Sequence, residues 1–317
     1  MTNKVLLLTN KDDITTDFIV KKLREKRIDF YRINTEEIGV SLQIVLNIGL
    51  GNYSLFEVNS GLEINLLSFD AVYFRRPEVM VNTEKLTPGE ANFVRGEFAY
   101  LLEGLYKILA EKRWLNTVDA IRIAENKVHQ LLTAKKIGFS IPESLITNRP
   151  DAARCFSDEK GELIIKPLKS GLVEAGVEEG VIFTSKIRID DSNAHRINAL
   201  PVFLQSHIKK KADVRVTVVG KRVFAALIHS QVSEEAIVDW RRSEKPLAYE
   251  QIELPEEISN KCIQIAVELG LNFGAIDLIQ CLDDSFLFLE INPNGQWAWI
   301  EKQLNYPISD EIVSCLA

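Results

Sequence analysis

Two strongly apolar runs each carry a single acid in their interior: Phe273–Cys281 (FGAIDLIQC) holds Asp277, and Phe286–Ile291 (FLFLEI) holds Glu290. Runs of this length, separated by the turn-forming Leu282-Asp283-Asp284-Ser285, predict two strands joined by a four-residue hairpin loop. Pro293 ends the second strand, because proline cannot donate to a ladder. If Cys281 pairs with Phe286, Asp277 falls opposite Glu290. Like charges directly across a ladder repel, and a buried carboxylate is costly unless paired or coordinated. Alternation along the strand puts Glu290 and Asn292 on one face, with Leu289 and Ile291 packing on the other. Asp277, Glu290 and Asn292 together offer hard oxygen donors at a strand end, a set suited to Mg²⁺ that keeps waters and substrate phosphates. The competing reading is that each acid is hydrogen-bonded or paired with an arginine.

The whole chain has an ordinary soluble composition over 317 residues, enough for two or three domains. A net charge of −7 gives no global attraction to nucleic acid. Cys155, Cys262, Cys281 and Cys315 show no Cys-x-x-Cys spacing and read as core thiols in a reducing compartment. The opening MTNKVLLLTNKDD lacks signal-peptide architecture and its apolar run is too short to span a bilayer. A cytoplasmic protein without membrane or nucleic-acid partners is expected.

An α/β architecture, α+β in places, is predicted from the order of the patterns. Lys4–Thr9, a helix over Ile14–Arg27 and Phe30–Ile33 make a βαβ opening with a parallel sheet, without a Gly-x-Gly-x-x-Gly turn. Strands follow at Gln43–Ile48, Leu55–Val58 and Ala71–Phe74, the last leading into Arg75-Arg76-Pro77. A helix over Pro88–Glu111 closes a first domain, residues 1–115. A central domain, 116–200, starts with a helix over Asp119–Lys136, whose apolar stripe is Ala124, Val128, Leu131 and Leu132. By itself Lys127 reads as an exposed helix lysine. Glu162–Gly171 (ELIIKPLKSG) delivers Lys166 to the end of a strand stopped by Pro167. Gly171, Gly176 and Gly180 then make a glycine-rich loop, which reads either as a phosphate cover or simply as turns. The third domain, 201–317, begins with the strand Pro201–Ile208. In the next strand Arg215 shares a face with Asp213 and Thr217. Arg215 and Arg241 also have local acidic partners in Asp213 and Asp239.

In this order the pieces resemble the ATP-grasp superfamily: a helix lysine, an Ile-Ile-Lys-Pro strand, a glycine-containing cover, and an Asp…Glu-x-Asn set, from Asn116 onward. The Arg-Arg-Pro after Val-Tyr-Phe, Asp239-Trp240-Arg241 and EINPNGQWAWIE are similar to one branch, the graspetide synthetases. These are microviridin-type macrocyclases of ribosomally made precursor peptides. Gln205-Ser206 departs from the Gln-Glu usual in relatives.

The resemblance implies a pre-ATP-grasp α/β domain ahead of central and C-terminal ATP-grasp domains. It implies ATP and Mg²⁺ as cofactors, with Lys127 and Lys166 on the α- and β-phosphates. Gln205, Ser206, His207 and Ile208 would line the adenine pocket, and Asp213 would reach the ribose. Asp277, Glu290 and Asn292 would hold the metal, and Arg215 and Arg241 an acyl phosphate. The implied partner is a precursor peptide, leader plus core, with the leader docking near Ser185–Asn198 through Asp190 and Asp191 opposite Lys186 and Arg188. A homodimer is expected. Two rival readings stay open: a ligase adding an amino acid to a peptide or protein, and a nucleotide-binding module without catalysis.

Overall fold

The computed structural model describes residues 3–78, 85–169, 172–175, 178–232 and 236–317. The chain divides into two compact units, one made of residues 1–121, 271–273 and 294–317, the other of residues 122–270 and 274–293.

The first unit is built on a four-stranded sheet with Lys4–Thr9 at its centre. It pairs in parallel with Asp29–Asn34 on one side and Ala71–Phe74 on the other, and Arg113–Trp114 extends the sheet. A central parallel strand has apolar residues on both faces, and Val5, Leu6, Leu7 and Leu8 are all fully buried. The helix Ile14–Glu25 supplies the crossover, and the Asp13 side chain caps it by accepting from the Thr15 amide. A meander of Leu42–Asn47, Asn52–Glu57 and Glu63–Asn65 packs through Leu42, Leu55 and Ile64 into the same core as Leu6 and Val72. The helix Pro88–Ile108 starts with a capping box between Thr87 and Glu90 and contributes Leu102, Leu105 and Tyr106. Two C-terminal helices, Ala298–Leu304 and Ile308–Leu316, belong to this unit. Ile308, Ile312, Val313 and Leu316 are buried, and Lys22 of the first helix pairs with Asp310 at 3.0 Å.

The second unit contains two sheets. Ser185–Ile187, Leu163–Lys166, Val202–Ser206 and Ser144–Thr147 lie antiparallel in that spatial order. They are backed by the helix Pro150–Lys160 through Ala153, Leu163 and Leu204. The other sheet runs Tyr249–Ile252, Arg222–Ile228, Lys210–Val219, Phe273–Cys281, Phe286–Asn292. Leu172–Ala175 and Glu178–Val181 form a two-stranded ladder in which Gly180 pairs with Val173. Gly171 and Gly176 of the expected cover lie outside the described residues.

Two sequence expectations need correction here. The helix expected over Asp119–Lys136 is two helices, Val118–Ala124 and Lys127–Lys136. The break comes from Asn126, whose side chain accepts from the His129 amide and starts a new helix. The buried face of that second helix consists of Gln130, Leu131, Thr133 and Ala134, while Val128 and Leu132 of the expected stripe are 42% and 64% exposed. Among the cysteines, Cys155 is exposed on its helix rather than in a core, and Cys262 and Cys281 are buried.

Candidate active site

The acid-bearing hairpin forms, with a different register from the simple one. Gln280, not Cys281, pairs with Phe286, and a bulge between Asp277 and Leu278 shifts the ladder by one residue. Leu278 faces Phe288, so Leu289 is the extra residue and Asp277 returns opposite Glu290. The bulge also breaks the expected alternation. Phe288 and Ile291 are buried at 0% and 1%, whereas Leu289 joins Glu290 in the wall of a cavity. The strand ends at Asn292, next to Pro293.

That cavity has a volume of about 500 Å³ and lies wholly in the second unit. Its size suits a cofactor or substrate. All of Lys127, Lys166, Gln205, Ser206, His207 and Ile208 line it. So do Asp213, Arg241, Asp277, Glu290 and Asn292. Arg215 reaches it through Asp277, to which its Nη1 donates at 2.7 Å.

Some of these side chains are delivered by a strand end or a helix start, whereas Asp213, Arg215 and Asp277 lie inside strands. Lys127 is the first residue after the Asn126 cap, and its Nζ lies 3.3 Å from Glu290 Oε2 and donates to the Pro167 carbonyl at 3.0 Å. Lys166 ends its strand with its ammonium 5.6 Å from the centre of the Phe203 ring. Burial pushes that ammonium down to about 8; Lys127 and Arg241 act in the same direction, while Glu290 and Asp277 oppose it. Asp239 caps a short 3₁₀ turn and fixes Arg241 by accepting from its Nε at 2.8 Å and from Nη2 at 3.2 Å. The remaining Arg241 nitrogen, Nη1, sits 3.8 Å from Glu290 Oε1. Burial alone would raise the Glu290 carboxyl, but Lys127, Lys166 and Arg241 outweigh it and hold that carboxyl well below the usual range.

The residues expected at the adenine and ribose are held by side-chain as well as backbone bonds. Gln205 is buried and donates its amide to the Ser144 hydroxyl at 2.9 Å, and the Ser206 amide donates to Glu143 at 2.9 Å. His207 sits 2.8 Å from Glu162, with its pKa lowered by burial and by Lys186. Asp213 lies 2.7 Å from Lys210 through each carboxylate oxygen. Burial raises its pKa and Lys210 opposes that shift.

Charge defines what this cavity can hold. The lining carries five cations, Lys127, Lys166, Lys169, Lys210 and Arg241, against five acids, Glu125, Asp213, Asp239, Asp277 and Glu290; positive charge gathers locally where Lys127, Lys166 and Arg241 face Glu290. Three cations around one carboxylate make a local concentration of positive charge that suits an anion. Asp277, Glu290 and Asn292 are oxygen donors on adjacent ladder positions, since Asn292 pairs with Ala275 two residues before Asp277. They fit a hard cation that arrives with phosphates. Among the described residues no group of three or more His, Cys, Asp or Glu side chains converges, so a metal here draws further oxygens from elsewhere.

Other sequence features resolve differently. Lys186 pairs with Glu162 at 3.0 Å and Asp191 with Arg154, so the expected opposition of Lys186 to the aspartates is absent. Asp190 is occupied locally, accepting from the Ser192 amide and hydroxyl. The segment is a strand, Ser185–Ile187, followed by a 3₁₀ helix over Ala194–Ala199. Trp297 is 1% exposed and packs edge-on against Phe18 at 6.0 Å, a core role. Sequence reasoning missed Gln130, whose buried amide contacts the backbone of the Glu290 strand. No helix among the described residues is long and apolar enough to cross a membrane.

Comparison with known proteins places this geometry. Residues 124–316 match the model of the RimK-like ATP-grasp domain, and residues 4–122 that of the MvdD pre-ATP grasp domain. A RiPP-associated ATP-grasp ligase of Chryseobacterium gregarium, solved with ADP and a leader and core peptide, is 26% identical with a TM-score of 0.88; the match covers 99% of this chain and 96% of that one. The macrocyclase MdnC of Microcystis aeruginosa MRC, solved with precursor peptide MdnA, is 25% identical with a TM-score of 0.87, covering 99% of both chains. The glutamate–LysW ligase ArgX of Sulfolobus acidocaldarius is 24% identical over 206 residues, 63% of this chain and 71% of that relative. With its two-lysine cavity, its acid-bearing hairpin and a domain match over residues 124–316, this chain belongs to the RimK-like ATP-grasp family and is an ATP-using ligase preceded by an MvdD-type pre-ATP-grasp domain.

Proposed function

We propose that the protein is a peptide macrocyclase. It transfers the γ-phosphoryl group of ATP to an Asp or Glu side chain of a ribosomally made precursor peptide, and releases ADP. A Ser or Thr hydroxyl, or a Lys amine, of the same peptide then attacks the acyl phosphate. The new ester or amide forms as the C–O bond to phosphate breaks, and phosphate leaves with the nucleophile's proton passing to solvent or a nearby base. The observation that carries this reading is the cavity in which Lys127, Lys166 and Arg241 converge on Glu290. The likeness of the whole chain to two peptide-bound relatives favours a peptide over a free amino acid.

Phosphoryl transfer of this kind needs positioning and charge neutralisation more than a protein nucleophile. Lys127 and Lys166 bind the α- and β-phosphates. Asp277, Glu290 and Asn292 would hold Mg²⁺, which would supply neutralisation of phosphate charge when bound. Arg241, braced by Asp239, and Arg215, braced by Asp277, grip the carboxylate as it becomes an acyl phosphate. The backbone from Gln205 to Ile208 receives the adenine, and Asp213 faces the ribose. A leader segment bound near Asp191 raises the effective concentration of the core. A cytoplasmic homodimer completes the reading.

The test incubates the protein with Mg²⁺, ATP and a Thr- and Glu/Asp-rich peptide encoded next to its gene. Loss of one water per link, with ADP formed, is the expected mass change. A gain equal to an added amino acid overturns cyclisation in favour of ArgX-like ligation. Asp191→Arg is expected to weaken leader binding, and unchanged affinity removes the leader site. Light scattering that returns the mass of a single chain removes the dimer.

A further inference from the structure

Gln130 makes contacts that neither the phosphate lysines nor the metal donors explain. It is 3% exposed, one turn beyond Lys127 on the same helix. Its Oε1 accepts from the Ile291 amide at 3.0 Å, and its Nε2 donates to the Ile291 carbonyl at 2.8 Å and to the Ala124 carbonyl at 2.5 Å. One side-chain amide therefore uses an acceptor and two donors at once.

The target matters. Ile291 is the residue between Glu290 and Asn292, on the strand at the edge of its five-stranded sheet. The outward N–H and C=O of an edge strand have no ladder partner, and unpaired buried backbone groups are costly. Gln130 takes the place of a neighbouring strand there, for one residue only. Its third bond goes to Ala124, the last residue of the helix before the Asn126 break. The same side chain thus ties together the helix break that launches Lys127 and the peptide that carries Glu290 and Asn292. Lys127 meets Glu290 directly at 3.3 Å. Two contacts, one turn apart, fix the helix against the strand in both translation and twist.

We propose that Gln130 is a positioning residue for the metal-bound nucleotide: it sets the register between Lys127 and the Glu290–Asn292 pair, so that phosphate and metal are gripped together. This rests on the assignment of those residues to Mg²⁺ and ATP. A residue that merely stabilised the fold would lower every affinity alike. A positioning residue weakens the mutual reinforcement of metal and nucleotide, because groups that orient metal ligands typically matter about ten- to a hundredfold in metal affinity.

The experiment measures ADP affinity by calorimetry with and without Mn²⁺ on the full chain, for wild type, Gln130→Met, Gln130→Glu and Cys262→Ala. Met keeps the length and apolar volume but makes none of the three bonds; Glu can accept from Ile291 but not donate to either carbonyl. Cys262 is fully buried on another helix and controls for general loss of stability. The expected result is that Mn²⁺ strengthens ADP binding in wild type and in Cys262→Ala. In whichever Gln130 variant folds, that strengthening falls about tenfold while metal-free ADP binding changes by less than about twofold. An undiminished Mn²⁺ effect in the Gln130 variants overturns the proposal. So does an equal loss with and without the metal. If Mn²⁺ has no effect on wild type, the metal assignment itself fails and takes this proposal with it, an outcome distinct from the other two.

Discussion

Arg75 and Arg215 are both buried arginines paired with an aspartate, yet they sit in different chemical settings. Arg75, in the first unit, spends Nε on Asp13 at 3.2 Å and Nη1 on the carbonyls of Asn294 and Gly295 at 3.0 and 3.1 Å. Every partner is a fixed part of the protein, and the guanidinium is 2% exposed. Arg215, in the second unit, meets Asp277, which forms part of a cavity wall alongside Glu290 and the two lysines. A buried ion pair alone therefore says little about function, since structural pairs perturb charge as strongly as catalytic ones. The difference lies in the surroundings: one pair is closed by backbone, the other borders a space in which Lys127, Lys166 and Arg241 gather around Glu290.

Three measurements would break or sharpen that contrast. Arg75→Ala has the largest expected effect on stability, a loss of about 3–5 kcal/mol, because it leaves the buried Asp13 without its cation and two carbonyls without their donor. A melting temperature within about two degrees of wild type would remove the structural reading. Arg215→Ala is expected to cut turnover at least about a hundredfold. Its stability loss, unlike that of Arg75→Ala, should recover with Mg²⁺ and ADP, because Asp277 then gains a cation through the cavity. Equal recovery in both variants would erase the distinction between the two regions. The smallest effect is a pH dependence. The Lys166 ammonium loses its proton near pH 8 in the free protein, and an anionic nucleotide favours the charged form. Binding above that pH therefore takes up a proton, so ADP affinity should be flat below about 8 and fall by up to about tenfold per pH unit above it. Lys166→Arg should stay flat over the same range. A wild-type affinity independent of pH between 7 and 10 would leave Lys166 out of the phosphate contacts.

Much of the candidate site was legible because its residues violate a simple pattern. Acids inside apolar runs, and a lysine pinned between an apolar strand and a proline, stand out against the rule that apolar runs bury. The pairing of Asp277 with Glu290 came out as expected through a register that was not. The two-residue alternation contains no term for an inserted residue, and nothing in FLFLEIN marks Leu289 as the extra one. The helix break was hidden because Ala124, Val128, Leu131 and Leu132 mimic one continuous stripe; Asn126, a strong capping residue, was the signal available. Arg75 could be flagged from its motif, but its carbonyl partners lie more than 200 residues away, beyond the reach of local patterns. Nothing in the local sequence singles out Gln130. Only the tertiary fold shows that an edge strand needed its amide.

The helices Ala298–Leu304 and Ile308–Leu316 complete the core of the first unit, with Trp297, Ile300, Ile308, Ile312 and Val313 all buried within it. Those residues are translated after the entire second unit. The first unit thus emerges from the ribosome with the surface that covers them still bare, and it waits through most of synthesis for its closing layer. Domains that can fold in the order of their synthesis usually do; here the order runs backwards, and the second unit can settle before the one that precedes it. A stalled or prematurely ended chain would expose the Phe18 and Arg75 side of an unfinished core, a natural target for a chaperone or a protease.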